Sequence, residues 1–211
     1  MKSQDILLML KLVSLENSES ERNKWLLEAR VPIPNDWRGW SSEHMPEVPS
    51  DVQPDARYSI RGLAQATGIS KSETSASLRR CSEVGLVRSD RNTGHARVNT
   101  KGLFEFISYG LKYVFPIRVG QMTKGIPTAA FAPVLVGQLL SAGDHSLVWE
   151  DPNGSAYGQR VDPIYKSVPH AVRRDAMLYA LLALVDSIRI GHERETALSK
   201  KVLERYLGRE S

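Results

Sequence analysis

Between Tyr58 and Thr100 the apolar positions recur at helical spacing, pause, recur again, and then give way to a short alternating run. Ile60, Leu63, Ala64 and Thr67 fall at i, i+3, i+4 and i+7, one face of a helix over 60–67. Ser59 is placed to cap its start. Gly68 is placed to end it, because a left-handed residue is cheapest without a Cβ. Ile69 is the apolar plug of a tight turn. Ser70-Lys71-Ser72-Glu73 then matches a capping box at the head of a second helix, from Lys71 to about Val84. Thr74, Leu78 and Cys81 form its expected buried face. Gly85 stops it, and Leu86-Val87 opens a strand. Asn92-Thr93-Gly94 sits between two short runs, the turn chemistry of a hairpin over 88–98.

The same pattern marks the flanking elements. Ile6, Leu7, Leu10, Val13 and Leu15, with Met9 and Leu12, predict a helix over about 3–15. Its wide apolar arc suits packing under the central pair or against a second subunit. Leu103, Phe104, Ile107, Leu111 and Val114 predict a helix over about 101–114, capped by Asn99 or Thr100. Asp175 caps a helix to about Ile190, which Gly191 terminates. Another helix follows over about 193–207. These last two read as a lid on the core or as a dimer surface. Short strands around 147–149 and 159–161 flank a turn at Asp151–Gly154 and predict a small hairpin. The stretch from Val31 to Pro54 carries five prolines, and Trp25, Trp37 and Trp40 lie in or beside it. An extended segment pinned by its tryptophans is expected there.

The outward face of the second helix gives this pattern a chemical meaning. It carries Lys71, Ser72, Ser75, Ala76 and Arg79, with Arg80 beside them, and is small, polar and basic. Arg and Lys pair with guanine edges, Ser donates or accepts, and an Ala methyl meets the thymine methyl. The hairpin adds Arg88, Arg91, Asn92, His95 and Arg97, placed for phosphates or the minor groove, and Arg61 lies on the first helix. Charge sharpens the location. From Arg57 to Lys101 nine cations face three anions, a balance of +6, whereas the whole 211-residue chain carries +4. The basic excess is therefore local, as an element that binds nucleic acid requires.

Leu63-Ala64, Gly68-Ile69-Ser70, Thr74, Leu78 and Gly85-Leu86-Val87, followed by the hairpin, resemble the winged helix-turn-helix of MarR-type bacterial transcription regulators. The resemblance covers about a fifth of the chain. It implies that the second helix reads the major groove of double-stranded DNA, that the wing touches backbone or minor groove, and that the protein is a homodimer. Cys81 stands where a larger aliphatic residue is common. The Pro/Trp-rich insertion departs from the compact pattern, so that family's ligand pocket is not carried over.

The expected architecture is mainly α with a small β wing. A winged helix-turn-helix domain over 1–115 holds the Pro/Trp-rich insertion at about 24–55. A helical region over 116–211 contains a short β-hairpin and serves dimerisation or partner binding. The expected function is a sequence-specific transcriptional regulator, a homodimeric repressor. The alternatives are an antitoxin-like or phage-defence autoregulator that binds a protein partner through its C-terminal half, and a plasmid replication or partition protein. Neither a small-molecule effector nor the operator can be named from these residues.

Chemistry adds little. His44, His95, His145, His170 and His192 lack ligand spacing, and no HExxH, phosphate-binding glycine loop or nucleophile elbow occurs. No enzyme, metal or cofactor is expected. Asp151 and Asn153 begin a calcium-loop pattern whose remaining ligands are missing, so a turn is expected. A single cysteine excludes an internal disulfide, and the buried face assigned to Cys81 makes it an inert thiol rather than a redox sensor. The run Ile6–Leu10 lacks a cleavage site, and Ala176–Val185 is too short to span a bilayer. A cytoplasmic protein is expected.

Overall fold

Two helices that are apolar on nearly every side set the core. A computed structural model describes residues 1–18, 54–138 and 146–208. Helix α1 (Ser3–Ser18) buries every residue from Ile6 to Leu10. A helix hydrophobic all round must be enclosed. The helix Ala176–Ile190, called α8 below, buries every residue from Leu178 to Arg189. The two pack against each other, and one continuous apolar core runs from Ile6 through Leu184 to Leu207. The wide apolar arc of α1 is thus covered from within the chain on the side where a second subunit was an option. The 176–190 helix is likewise central, where a lid or dimer surface was expected.

Polar contacts fix this pair in register. Asp175 caps the Ala176–Ile190 helix by accepting from the Leu178 N–H at 2.9 Å. The same carboxylate accepts from Lys11 Nζ at 2.7 Å and from Ser14 Oγ at 2.6 Å. Asn17 donates to the Tyr206 carbonyl at 2.9 Å and so ties α1 to the helix Glu193–Tyr206 as well.

Helix α2 (Pro54–Tyr58) precedes α3 (Ile60–Thr67) and α4 (Lys71–Glu83). The expected local signals act here. Ser59 Oγ accepts from Gly62 N–H, and Gly68 ends α3 at φ 70° with its N–H on the Ala64 carbonyl. Ser70 Oγ accepts from Glu73 N–H at 3.3 Å, one half of the capping box. The Glu73 carboxylate turns instead to Gln4, which donates at 2.7 Å. The buried face of α4 is Thr74, Ser77 and Cys81, whereas Leu78, expected there, is half-buried. The insertion expected at about 24–55 lies outside the described residues, apart from Pro54 and Asp55 at the head of α2.

Strands β1 (Val87–Ser89) and β2 (Ala96–Val98) pair antiparallel with Arg88 opposite Arg97. Asp90 Oδ1 accepts from the N–H groups of Asn92 and Thr93 at 2.9 Å each, and Gly94 turns the chain at φ 72°. These bonds hold the Asp90 carboxyl below the usual carboxylate range. Asn99 caps α5 (Thr100–Tyr109) by accepting from Gly102 N–H at 3.2 Å. The single helix expected over 101–114 breaks at Gly110, and α6 (Leu111–Val114) follows.

The expected 147–161 hairpin is corrected by the strand pairing. Strands β4 (Leu147–Glu150) and β5 (Ala156–Val161) exist, but they run parallel where they meet. Each pairs antiparallel with β3 (Val119–Pro127), and the three close into a small barrel. The glycines and proline of VGQMTKGIP made β3 read as loop. Gly125 in β3 and Gly154, between β4 and β5, permit the closure. A Cβ on Gly154 would lie 2.0 Å from the Gly125 carbonyl carbon, and one on Gly125 would lie 2.1 Å from the Trp149 carbonyl oxygen. Chains can cross this closely only without side chains. A short 3₁₀ turn (Ala129–Phe131) between β3 and β4 packs on α8 (Ala176–Ile190), α7 (Val168–Val172) links β5 to α8, and α9 (Glu193–Tyr206) packs on α8. The chain is mainly helical with a small β content. No helix among the described residues is long and apolar enough to cross a membrane.

The barrel is fastened to α8 through a buried carboxylate. Asp186 Oδ2 accepts from Trp149 Nε1 at 2.6 Å and from Thr128 Oγ1 at 3.2 Å, and its Oδ1 accepts from Arg189 Nη1 at 2.6 Å. Arg189 also donates from Nε to the Phe115 carbonyl at 2.9 Å. Burial raises the Asp186 carboxyl pKa, against the opposing pull of Arg189 and Trp149.

Candidate nucleic-acid interface

The orientation of α4 is fixed from behind by one buried carboxylate. Asp5 on α1 is wholly buried, an acid in an otherwise apolar run. Ser77 Oγ donates to Asp5 Oδ1 at 2.5 Å, Arg80 Nη2 donates to the same oxygen at 2.6 Å, and Arg80 Nε donates to Oδ2 at 3.1 Å. The Lys2 N–H adds a fourth bond at 2.7 Å. Burial pulls the Asp5 carboxyl upward, but these donors outweigh it and hold the carboxyl below its usual range. Charge-assisted, two-pronged Arg–carboxylate pairing is directional, so it sets the rotation of α4 about its axis.

That rotation decides which expected residues face outward. Lys71, Ser72, Ser75 and Arg79 are exposed on α4, and Ala76 between them is half-buried. Ser70 and Ser72 hydroxyls lie 3.2 Å apart at the helix start. Arg79 lies 3.9 Å from Glu83 with its side chain 77% exposed, a pairing too loose and too wet to hold the guanidinium. Arg80 is a correction. Its guanidinium turns inward to Asp5 and approaches Glu73 at 3.6 Å, so it belongs to the fastening and not to the outward face. Arg61 is exposed on α3.

The hairpin divides in the same way. Arg88, Arg91 and Asn92 are exposed. His95, beside the turn, and Arg97, within β2, are half-buried. His95 stacks on the Tyr58 ring at 4.3 Å between centroids, and the Arg97 guanidinium sits 5.4 Å from the same ring centroid. Arg97 Nη1 also donates to Tyr58 Oη at 3.3 Å. These two residues brace the hairpin against α2, while Val98 N–H donates to Glu16 Oε1 at 3.2 Å and ties it to α1.

Asp5, Ser77 and Tyr58 escaped sequence reasoning. Asp5 left a signal, a carboxylate among apolar residues that cannot be buried without partners. Its side-chain partners, Ser77 and Arg80, lie 72 and 75 residues away, so spacing could not find them. Cys81 lies on the buried face of α4, and burial, reinforced by the Asp5 charge, pushes its thiol up to about 12. At pH 8 a thiol reagent should therefore modify the native protein only through transient opening, and denaturant should accelerate the reaction by orders of magnitude. Labelling of native protein at the rate of a free thiol would contradict this placement.

Family models, curated proteins and solved structures yield no match to this chain. Among the described residues, the arrangement brings together an exposed polar and basic helix face, an exposed arginine on the preceding helix and a basic hairpin tip. No group of three or more metal-capable side chains occurs among them.

Proposed function

We propose that residues 1–115 form a winged helix-turn-helix that binds double-stranded DNA in a sequence-specific way. On this reading the protein is a homodimeric transcriptional regulator that represses by occupying its operator. The observation that carries it is the division of α4. One face is locked to α1 through Asp5, and the other presents Lys71, Ser72, Ser75 and Arg79 beside the Arg88–Asn92 hairpin. A helix with small outward side chains approaches base edges closely, and its flanking cations meet phosphates. Exposed Tyr109, Tyr113 and Val114 offer an apolar patch for the dimer contact.

Selection from a random duplex library tests the proposal. A defined sequence should emerge as two half-sites separated by about one helical turn, as a two-fold dimer requires. Arg79→Ala should weaken binding to that sequence by about 1–3 kcal/mol while leaving non-specific binding nearly unchanged. An equal loss on every sequence would move Arg79 from base reading to phosphate contact. No enrichment at all would remove the proposal.

A further inference from the structure

The segment Lys166–Arg174, far from α3 in sequence, is seated on the turn between α3 and α4. Ser167 Oγ donates to the Thr67 carbonyl at 2.6 Å, and His170 Nε2 lies 3.4 Å from the Gln65 carbonyl, which can only accept. The fit is close. A Cβ on Gly68 would meet Ser167 Cβ at 2.9 Å and His170 Cδ2 at 3.2 Å. Thus α7 is docked on the end of α3 that immediately precedes the start of α4.

Two physical consequences follow. The C-terminal end of a helix carries unsatisfied carbonyls and partial negative charge, which repel a phosphate. Here Ser167 and His170 engage two of those carbonyls. Second, the segment brings its own cations. Lys166, His170 and Arg174 are exposed. The neighbouring acids are engaged elsewhere. Asp151 takes Arg173, Asp162 takes Arg160 at 3.2 Å, and Asp175 takes Lys11 at 2.7 Å.

We propose that Lys166 and Arg174 form a second phosphate-contacting element of the DNA interface, at the N-terminal end of α4, complementing the hairpin that follows its C-terminal end. This rests on the DNA-binding reading above. A reading helix of 13 residues is about 20 Å long, longer than the roughly 12 Å major groove is wide. Its ends therefore lie near different stretches of backbone. The first helix of such a pair crosses the backbone, so Arg61 at one end of α3 and the 166–174 segment at the other flank one phosphate run. The region expected to serve dimerisation or partner binding then contributes directly to DNA affinity.

The test is the salt dependence of duplex binding by the full chain, with the selected sequence and a scrambled one. Lys166→Ala/Arg174→Ala should weaken both complexes about equally, on the order of tenfold per bound protomer, and reduce the slope of log K against log salt by about two per protomer, roughly four for the dimer. The preference for the selected sequence should be unchanged. Arg194→Ala/Lys201→Ala, removing the same charge from exposed sites on α9, should leave the slope at its wild-type value. An unchanged slope in the first double variant overturns this proposal while wild-type binding keeps the DNA reading intact. An equal loss in the α9 control overturns it in favour of overall charge. Failure of the wild type to bind either duplex overturns both readings. Matching far-ultraviolet circular dichroism and melting curves establish that the surface variants are folded.

Discussion

Asp186→Ala destabilises the fold by about 3–5 kcal/mol, the largest effect expected from any single substitution considered. The magnitude comes from what is left behind. Asp186 and Arg189 side chains are 1% and 3% exposed, so removing the carboxylate strands a guanidinium in the core. Trp149 Nε1 and Thr128 Oγ1 lose their acceptor at the same time. Each stranded donor adds a desolvation cost that a merely absent bond would not. Asp186→Asn keeps the shape and one acceptor oxygen, and should fall between the variant and the wild type. Because these donors belong to β4, to the chain just after β3 and to α8, the damage should be concentrated in the barrel. Hydrogen exchange should show β3, β4 and β5 losing protection first. A change below about 1 kcal/mol in a denaturant titration would show that the pair is not a fastening.

Asp5→Ala is expected to cost about 3 kcal/mol and, if residues 1–115 bind DNA as proposed, to damage that binding from behind the interface. It leaves Ser77 buried without its acceptor and Arg80, with only 24% of its side chain exposed, without its main partner. Freed from Asp5, α4 can rotate, and Lys71, Ser72, Ser75 and Arg79 lose their common aim. The expected signature is a loss of preference for the selected duplex that exceeds the loss of non-specific affinity, in protein kept folded at low temperature. Asp5 also predicts an acid dependence. Its folded carboxyl, pulled upward by burial, is held below the ordinary aspartate value chiefly by Arg80. Its contribution is therefore present above the unfolded value and is lost as pH falls through the lower folded one. Asp5→Asn should flatten that part of the stability profile. A variant whose acid limb matches the wild type would assign the dependence to other carboxylates. Cys81 acts at the opposite end. Its thiol is raised to about 12, so its contribution is intact below about pH 9 and fades as pH climbs toward that value.

These two carboxylates also separate what could be read from what could not. Caps and stops were legible because their partners lie within four residues. Ser59, Gly68, Ser70, Asn99, Asp175 and Gly191 bound their helices where the chain alone predicts. The outward face of α4 followed from helical period, and so did most of the exposed basic set. Arg80 failed because a 3.6-residue period places a side chain only to within a face. Which edge of that face it joins was settled by Asp5, 75 residues earlier. Likewise β3 and the parallel meeting of β4 with β5 could not be read, because strand pairing is a long-range choice. The glycines that allow the crossing at Gly125 and Gly154 look like loop residues in isolation.

By itself, then, the sequence determined the local elements, the helix–turn–helix spacing, the local +6 charge and the apolar runs that had to be enclosed. Periodicity and capping act over one or two turns, and they carry that information without help. The tertiary structure decided what encloses each apolar run, which arginine is fastened and which faces outward, and that α7 caps the end of α3. Those outcomes depend on burial and on contacts between residues 72 to 164 positions apart, where loop closure and packing, rather than local preference, select the partner.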